Sequence, residues 1–291
     1  MDLSEFAEEI GDSGPVTIAG LATRGGPVDG VRPVMAPIGI ESIQVDEMTV
    51  CCGAGTPVAE LDDALSAHGQ CVAIPPTGTV GGALAVGQSG LRRLGYGPVR
   101  DVLLQARYVS ARGEVVKAGG PTVKNVSGFD LCRLLVGSRG TLGFLGDVIM
   151  RTRPRASYEQ WFTTTADPWA IMRALYRPTS VLWDGTTTWV LLEGDARDVA
   201  DQAAVAALEV SEPPGTLPTG GRWSMRPADL ASLPGTGRFV AEIGVGIVHH
   251  ELPSPLRPAD DAVVELHRRI KEQFDPTGRL NPGVTVLHGA R

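Results

Sequence analysis

The sequence predicts an α+β fold with two domains and a C-terminal helix that returns to the first. Short strand-like runs alternate with three glycine-rich loops in the first half. The runs after residue 155 follow the order strand, helix, strand, strand, helix, strand of a ferredoxin-like unit. A length of 291 residues, with 43% hydrophobic and 20% charged residues, suits one large or two ordinary folded domains. We expect domains over 1–154 and 155–255, then a helix and tail over 256–291.

The longest glycine-rich stretch runs from Pro75 to Gly90. Glycine permits positive φ angles and close approach of a ligand, and successive N–H groups can form a nest for a diphosphate. A mobile loop is the alternative for any such run. This stretch carries no charge and precedes a strand-like run, which favours a dinucleotide or flavin cradle. Its spacing fits neither the Rossmann fingerprint nor the P-loop, so a less common nucleotide fold is expected.

Charge and composition exclude several classes of function. The formal net charge of −7 argues against a nucleic-acid partner. No apolar run approaches the ~18 residues of a membrane span, and the acidic N-terminus lacks a signal-peptide core. We therefore expect a cytoplasmic protein, with attachment to the inner face of a membrane through partners left open.

The cysteines predict that this chain carries no metal centre. The four of them form no C-x-x-C pair and have few histidines nearby, so neither a zinc site nor an iron–sulfur cluster is expected. Buried free thiols are the favoured interpretation. If the chain performs redox chemistry, its electrons must leave to another protein. The cysteines are Cys51, Cys52, Cys71 and Cys132.

In the first half, β-branched and apolar runs bounded by turn residues predict strands. These are residues 15–19, 43–45, 48–52, 102–109, 114–118 and 144–152. A helix is expected after Pro57, capped by Thr56, and another over 131–136. The loops between them that are rich in glycine are 20–26, 75–90 and 137–143.

In the second half, the predicted strands are 158–163, 179–183, 187–193 and 239–249. The predicted helices are 168–176, 195–210 and 259–274, the first opened by Asp167 and Pro168. A long loop over 212–221 is either a lid or a mobile segment.

Five motifs in order identify a family. They are Thr79-Val-Gly-Gly82, Gly97-Pro-Val-Arg-Asp101, Val123-Lys-Asn-Val-Ser-Gly-Phe-Asp130, Gly137-Ser-Arg-Gly-Thr-Leu-Gly143 and Asp275-Pro-Thr-Gly-Arg-Leu-Asn-Pro-Gly283. Their succession resembles the FAD-linked oxidases of the vanillyl-alcohol oxidase/PCMH fold. Within that family the chain is most similar to the FAD-binding E subunits of bacterial glycolate oxidases.

The resemblance implies a PCMH-type domain of two subdomains that binds FAD, with the ferredoxin-like part as a cap. The first loop, the loop before Gly82 and the Ser89–Gly90 pair would hold the diphosphate. Gly140, Thr141 and Gly143 would approach the ribityl chain or flavin edge, and Asn281 the ring face. The full set of implied cofactor-binding residues is Gly20, Thr23, Arg24, Gly25, Pro76, Thr77, Gly78, Thr79, Val80, Gly81, Gly82, Ser89, Gly90, Arg92, Gly97, Val99, Gly140, Thr141, Gly143, Phe144 and Asn281.

The chain departs from the family pattern at its first loop. Leu21 and Ala22 stand where glycines are usual. The helix and strand that normally precede the loop are expected to be absent, which implies a reduced FAD affinity. Since the loop contains neither histidine nor cysteine, FAD is expected to be bound noncovalently.

Oxidation of a 2-hydroxy acid by a flavin requires a proton acceptor and a cation for the carboxylate. His249 and His250 end a strand-like run and are the candidate bases. Because a strand alternates its faces, at most one of them faces a site, and a surface or capping histidine is the alternative. Lys124 or Arg92 could hold the carboxylate, with a structural ion pair as the alternative.

Three functions stay open at this level. The first is the FAD-binding subunit of a 2-hydroxy-acid dehydrogenase complex with a second flavin subunit and an iron–sulfur subunit. The second is a self-sufficient FAD enzyme acting on another alcohol or a lactone. The third is a degenerate FAD-fold subunit with a structural role.

Overall fold

A computed structural model describes residues 1–121, 130–256 and 259–287 of the chain. It divides into two compact units. The first comprises Met1–Gly90, Pro98–Arg155 and Arg257–Arg291, and the second Leu91–Gly97 and Ala156–Leu256. The α-helices in the described residues are α1 (Ser4–Ile10), α2 (Val58–Ser66), α3 (Val80–Val86), α4 (Arg93–Tyr96), α5 (Leu131–Leu135), α6 (Pro168–Ala174), α7 (Ala196–Val205) and α8 (Asp261–Phe274).

The strands described in the first unit form three sheets. A five-stranded sheet of order β3-β4-β8-β6-β7 is antiparallel throughout, and β1 pairs with β2 in parallel. A third pair joins β5 and β9. The strands are β1 (Val16–Ala19), β2 (Arg32–Met35), β3 (Ile40–Gln44), β4 (Thr49–Gly53), β5 (Gln70–Cys71), β6 (Leu103–Val109), β7 (Val115–Gly119), β8 (Phe144–Arg151) and β9 (Arg153–Pro154).

The core of this unit follows the apolar patterns of its strands and helices. Helix α2 buries Val58, Leu61 and Leu65, one stripe at helical spacing. Its N-cap is Pro57, so the expectation that Thr56 caps it is wrong. The Thr56 hydroxyl instead donates to the Gly39 carbonyl at 3.2 Å and accepts from the Gly39 N–H at 3.0 Å, which holds the turn before β3.

The glycine-rich stretch contains a helix that sequence reasoning missed. The Thr79 side chain caps α3 by accepting the Gly82 N–H at 3.1 Å, and Gly87 ends the helix with a left-handed φ of 67°. Val80 and Leu84 of α3 are fully buried. Helix α3 therefore anchors this stretch to the core of the first unit.

The C-terminal tail ties the two ends of the chain together. The buried Arg279 guanidinium donates to five carbonyl oxygens, those of Ile10, Gly11, Ser13, Gly14 and Ala111. Strand β1, which matches the strand predicted over 15–19, and helix α1 both precede the first loop, so the expectation that a helix is absent there is wrong. Within the described ranges, no helix has the length and apolar character needed to traverse a bilayer.

The second unit is one seven-stranded antiparallel sheet of order β13-β10-β12-β11-β15-β16-β14. From β10 to β13 the elements follow the ferredoxin-like order strand, helix, strand, strand, helix, strand, which confirms the α+β class. The last strand of this unit is β13, however, and not the run over 239–249 that the sequence predicts in that place. Helices α6 and α7 pack on one face. The strands are β10 (Tyr158–Thr164), β11 (Ser180–Trp183), β12 (Thr188–Gly194), β13 (Glu209–Ser211), β14 (Gly221–Ser224), β15 (Phe239–Glu242) and β16 (Ile247–His250).

Two predicted elements of this unit are wrong in extent. The strand expected over 239–249 is a hairpin, because Gly244 and Gly246 adopt φ angles of 80° and 81° in the turn between β15 and β16. The helix expected over 195–210 ends at Val205, where Ala207 has a φ of 50° and the chain turns into β13.

Candidate functional site

A cavity of about 210 Å³ opens in the first unit between three segments. Residues 17–26 form one wall, one side of α3 with Thr79 the second, and residues of the segment 138–145 the third, with Asn281 between them. The cavity is smaller than the roughly 300–1,000 Å³ of pockets for drug-sized ligands. It therefore fits one segment of a dinucleotide.

Asn281 joins two walls of this cavity. Its Oδ1 accepts hydrogen bonds from the Thr17 hydroxyl at 2.8 Å and the Ile18 N–H at 3.1 Å. Its Nδ2 donates to the Arg139 carbonyl at 2.7 Å. The residue has a φ of 44°, a left-handed conformation in which asparagine is enriched. Asn281 thus fixes the third wall against β1.

The first amides of α3 are bonded within the protein. The Val80 N–H donates to the Thr56 carbonyl at 2.9 Å, and the Gly81 N–H to the Ala54 carbonyl at 2.6 Å. A Cβ at Gly81 would lie 2.9 Å from that same Ala54 oxygen, so glycine is needed there for packing. The amides of Val80, Gly81 and Gly82 are therefore already bonded and do not join the phosphate nest that the sequence predicts in the stretch from Pro75 to Gly90.

The cavity is cationic. Arg24 and Arg139 are the charged side chains among the described residues that line it, and neither has an ion-pair partner in the described part of the chain. Burial lowers the pKa of Arg24, whose Nη1 donates to the Thr77 carbonyl at 2.7 Å. Two unpaired guanidiniums suit an anionic group such as a diphosphate.

The glycines of the first loop leave room beside these cations. A Cβ at Gly25 or Gly26 would meet no heavy atom within 4 Å. The lining thus combines open backbone with positive charge, and it contains no histidine or cysteine among its described residues. This donor set fits the diphosphate part of FAD and offers no side chain of the usual kind for a covalent flavin bond.

The structure brings some of the sequence-predicted cofactor residues together in this lining. Those that line it are Gly20, Thr23, Arg24, Gly25, Thr79, Gly81, Gly82, Gly140, Gly143, Phe144 and Asn281. Those outside it are Pro76, Thr77, Gly78, Val80, Ser89, Gly90, Arg92, Gly97, Val99 and Thr141. Among the latter, Val80 and Val99 are core residues, and the Ser89 hydroxyl accepts the Val99 N–H at 3.1 Å.

Arg92 belongs to the second unit, and its charge is already compensated there. Its guanidinium pairs with Glu193 and, at 2.9 Å, with Glu159. The Tyr96 hydroxyl donates to Glu193 at 2.6 Å. These contacts correct the interpretation of Arg92 as a phosphate or carboxylate ligand in favour of the structural ion pair.

The two candidate bases occupy different environments. His250 is fully buried and stacks on Trp223 at 3.8 Å. Its Nδ1 accepts the Leu252 N–H at 3.0 Å, and its Nε2 lies 3.1 Å from the Thr236 hydroxyl. Both ring nitrogens are therefore engaged, which corrects the interpretation of His250 as a base.

His249 keeps 18% of its side chain exposed, with Nε2 3.1 Å from Glu242 Oε1. Sequence reasoning missed this carboxylate, although a lone glutamate in the apolar run from Phe239 to Val248 was a usable signal. Lys124, the third catalytic candidate, lies outside the described residues.

Comparisons with known proteins agree with this geometry. Residues 10–119 match the family described as an FAD binding domain, and residues 236–285 that described as the C-terminal domain of FAD linked oxidases. Glycolate oxidase subunit GlcE of Escherichia coli (strain K12) is 28% identical over 97% of this chain and 95% of its own. D-lactate dehydrogenase of Archaeoglobus fulgidus is 40% identical, but over 39% of this chain and 26% of its own length.

Solved structures share the fold. Alkyldihydroxyacetonephosphate synthase in two crystal forms superposes with TM-scores of 0.66 and 0.70 at 15% and 14% identity. The superpositions cover 96% and 93% of this chain and 72% and 73% of those chains. The two family matches, the end-to-end similarity to GlcE and this common fold lead to one conclusion: the chain carries the FAD binding domain and the C-terminal domain of FAD linked oxidases, and it is an FAD-dependent oxidoreductase with FAD as its cofactor.

Proposed function

We propose that this chain is the FAD-binding subunit of a glycolate oxidase-like complex that dehydrogenates a small 2-hydroxy acid. The observation that carries the proposal is the similarity to GlcE, which extends over 97% of this chain and 95% of that subunit. Partial similarity to D-lactate dehydrogenase and to the GlcD subunit of the Bacillus subtilis glycolate oxidase supports the same substrate class.

The cofactor would be held noncovalently in the first unit. Arg24 and Arg139 would neutralise the diphosphate, with the open backbone at Gly25 and Gly26 beside it. Bound FAD supplies the hydride acceptor for an oxidation of this kind. Asn281 holds the cavity walls in place through its three hydrogen bonds.

His249 is the proposed proton acceptor for the substrate hydroxyl. It is partly accessible, whereas His250 is enclosed. Its contact with Glu242 would stabilise the imidazolium formed when it takes up a proton. Lys124 is retained as a proposed ligand of the substrate carboxylate.

The electrons would pass to partner subunits. Cys51, Cys52 and Cys132 form no disulfide, and burial raises the pKa of Cys51 and Cys52 to about 12 and that of Cys132 to about 11. Thiols held in their protonated form are poor cluster ligands. We propose a second flavin subunit and a separate iron–sulfur subunit as partners, in a cytoplasmic complex that can lie at the inner face of the membrane.

A second candidate function is a structural FAD-fold subunit without catalysis of its own. The observation that favours it is the internal bonding of the first amides of α3, which removes part of the expected phosphate nest.

Anaerobic reduction of the bound flavin separates the candidates. The purified chain should be yellow and should release flavin on denaturation. Glycolate or D-lactate should bleach the flavin once the partner subunits are present. Bleaching without partners would indicate a self-sufficient enzyme, and a chain that binds no FAD at all would contradict the proposal in favour of the structural role.

A further inference from the structure

The sheet of the second unit contains a buried carboxylate that is only half satisfied. Glu242 is 2% exposed. Its Oε1 meets His249 Nε2 at 3.1 Å, whereas its Oε2 has no hydrogen-bond partner among the described residues. A buried carboxylate oxygen without a donor is costly, so it marks a place where a ligand can supply one.

Strand pairing puts a cation on the same face. His249 of β16 pairs with Arg222 of β14, and Ile247 pairs with Glu242 of β15. Because side chains two apart in a strand share a face, Arg222, Glu242 and His249 all project from one side of the sheet. His250 and Trp223 project from the other side, where they stack.

Arg222 has no hydrogen bond or ion pair from its guanidinium among the described residues, and it is partly buried. Burial lowers the pKa of Arg222, the charge of Glu242 raises it, and that of Arg93 lowers it again. Strand pairing places Glu159 and Glu193 on this face as well, but both pair with Arg92, so no ion pair neutralises Arg222 among the described residues. The group is therefore suited to an anion that also brings a hydrogen-bond donor.

We propose that Arg222, Glu242 and His249 form a binding site for a small carboxylic acid that carries a hydroxyl next to its carboxylate. The ligand carboxylate pairs with Arg222. In the bound ligand the hydroxyl donates a hydrogen bond to Glu242 Oε2, and His249 keeps its hydrogen bond to Oε1. The inference deepens the proposed function by naming the groups that select the 2-hydroxy acid, and it rests on that function only for the identity of the ligand.

Direct binding tests the site without turnover. The full chain, freed of flavin, is titrated calorimetrically with D-lactate and with propionate, which has the same skeleton but lacks the hydroxyl. We expect D-lactate to bind about tenfold more tightly, since a hydrogen bond to a buried charged group discriminates by at least that factor. Equal affinity for the two acids, or no binding of either, would overturn the proposal.

Two variants assign the roles. Glu242→Gln should reduce the preference for D-lactate to less than about threefold, because its hydrogen bond is no longer to a charge. Arg222→Gln should weaken both acids alike by about tenfold or more. Arg226→Gln is the matched control, since Arg226 is exposed and paired with Asp229; it should bind as the wild type does.

Thermal unfolding verifies that each variant is folded, and if Glu242→Gln unfolds, the Arg222→Gln titration alone decides. An Arg222→Gln protein that binds both acids normally would refute the site. If D-lactate bleaches the flavin equally well in the wild type and in both variants, the proposed function stands and this inference falls. If D-lactate binds as expected but never reduces the flavin, the inference stands and the proposed function falls.

Discussion

Replacing Asn281 with aspartate separates its two tasks at the cavity. The acid keeps an oxygen for the Thr17 hydroxyl and the Ile18 N–H, but it loses the N–H that donates to the Arg139 carbonyl at 2.7 Å. Two oxygens without a proton then face each other at a position that is 6% exposed. Aspartate also tolerates the left-handed backbone there, so backbone strain adds little.

The expected cost follows from the lost bond. An unsatisfied buried acceptor costs about 1–3 kcal/mol. The variant can avoid this cost by letting the segment 138–145 move away from β1. FAD binding must then restore the wall, so each 1.4 kcal/mol of that cost should weaken FAD affinity by about tenfold. Asn281→Ala, which removes all three bonds, should lose more affinity and more stability than Asn281→Asp.

Titration of FAD into flavin-free protein, followed by quenching of flavin fluorescence, measures the affinity. Urea unfolding measures the stability. Gln160→Glu is a matched control, because its Nε2 also donates to backbone carbonyls, those of Trp161 at 2.9 Å and Ser211 at 3.3 Å, but in the second unit. It should lower stability and leave FAD affinity unchanged. Wild-type FAD affinity in Asn281→Asp would refute the positioning role.

Three further predictions follow from charge and burial. Arg24→Gln should weaken FAD binding severalfold and reduce its dependence on salt, as titrations at two ionic strengths would reveal; an unchanged salt dependence would contradict a diphosphate contact. Arg279→Met should lower the free energy of unfolding by roughly 3–5 kcal/mol, because it leaves several buried carbonyls unpaired. A urea midpoint equal to that of the wild type would contradict the role of Arg279 in joining the two ends of the chain. The raised pKa values of Cys51 and Cys52 predict that the free energy of unfolding is intact below about pH 9 and falls as the pH rises from about 9 towards 12. The reason is that these thiols ionise at lower pH in the unfolded chain than in the folded one. If the wild type and a Cys52→Ala variant lose the same thermal stability over this pH range, the prediction is contradicted.

The sequence predicts the strands and the family well because these depend on local patterns. Strand alternation and turn residues are legible in β6 and β7, and the α+β class follows from element order. Helix α3 was hidden because its glycines oppose helix propensity. It forms because Thr79 caps it and because Gly81 allows the close approach of Ala54, a contact over 27 positions of chain that no local pattern reveals.

The site could be predicted only in part, because only some of its features are local. Glycine spacing indicates where backbone is open, and so the first loop and the segment around Gly140 were found. Which side chains are already engaged depends on contacts between distant segments. Arg92 is neutralised by Glu193 and Glu159, which lie 101 and 67 positions away, and neither partner is visible from the motif that contains Arg92.

The central claim is that the cavity between residues 17–26, helix α3 and residues 138–145 is the FAD site. Gly26 tests it most directly, because a side chain there enters open space without a positive φ to strain the backbone. Gly215, in the second unit, has the same properties and serves as the control. Flavin absorption of the reconstituted proteins is the measurement. We predict one bound FAD per chain in the wild type and in Gly215→Leu, and little or none in a folded Gly26→Leu; full flavin occupancy in Gly26→Leu would contradict the account.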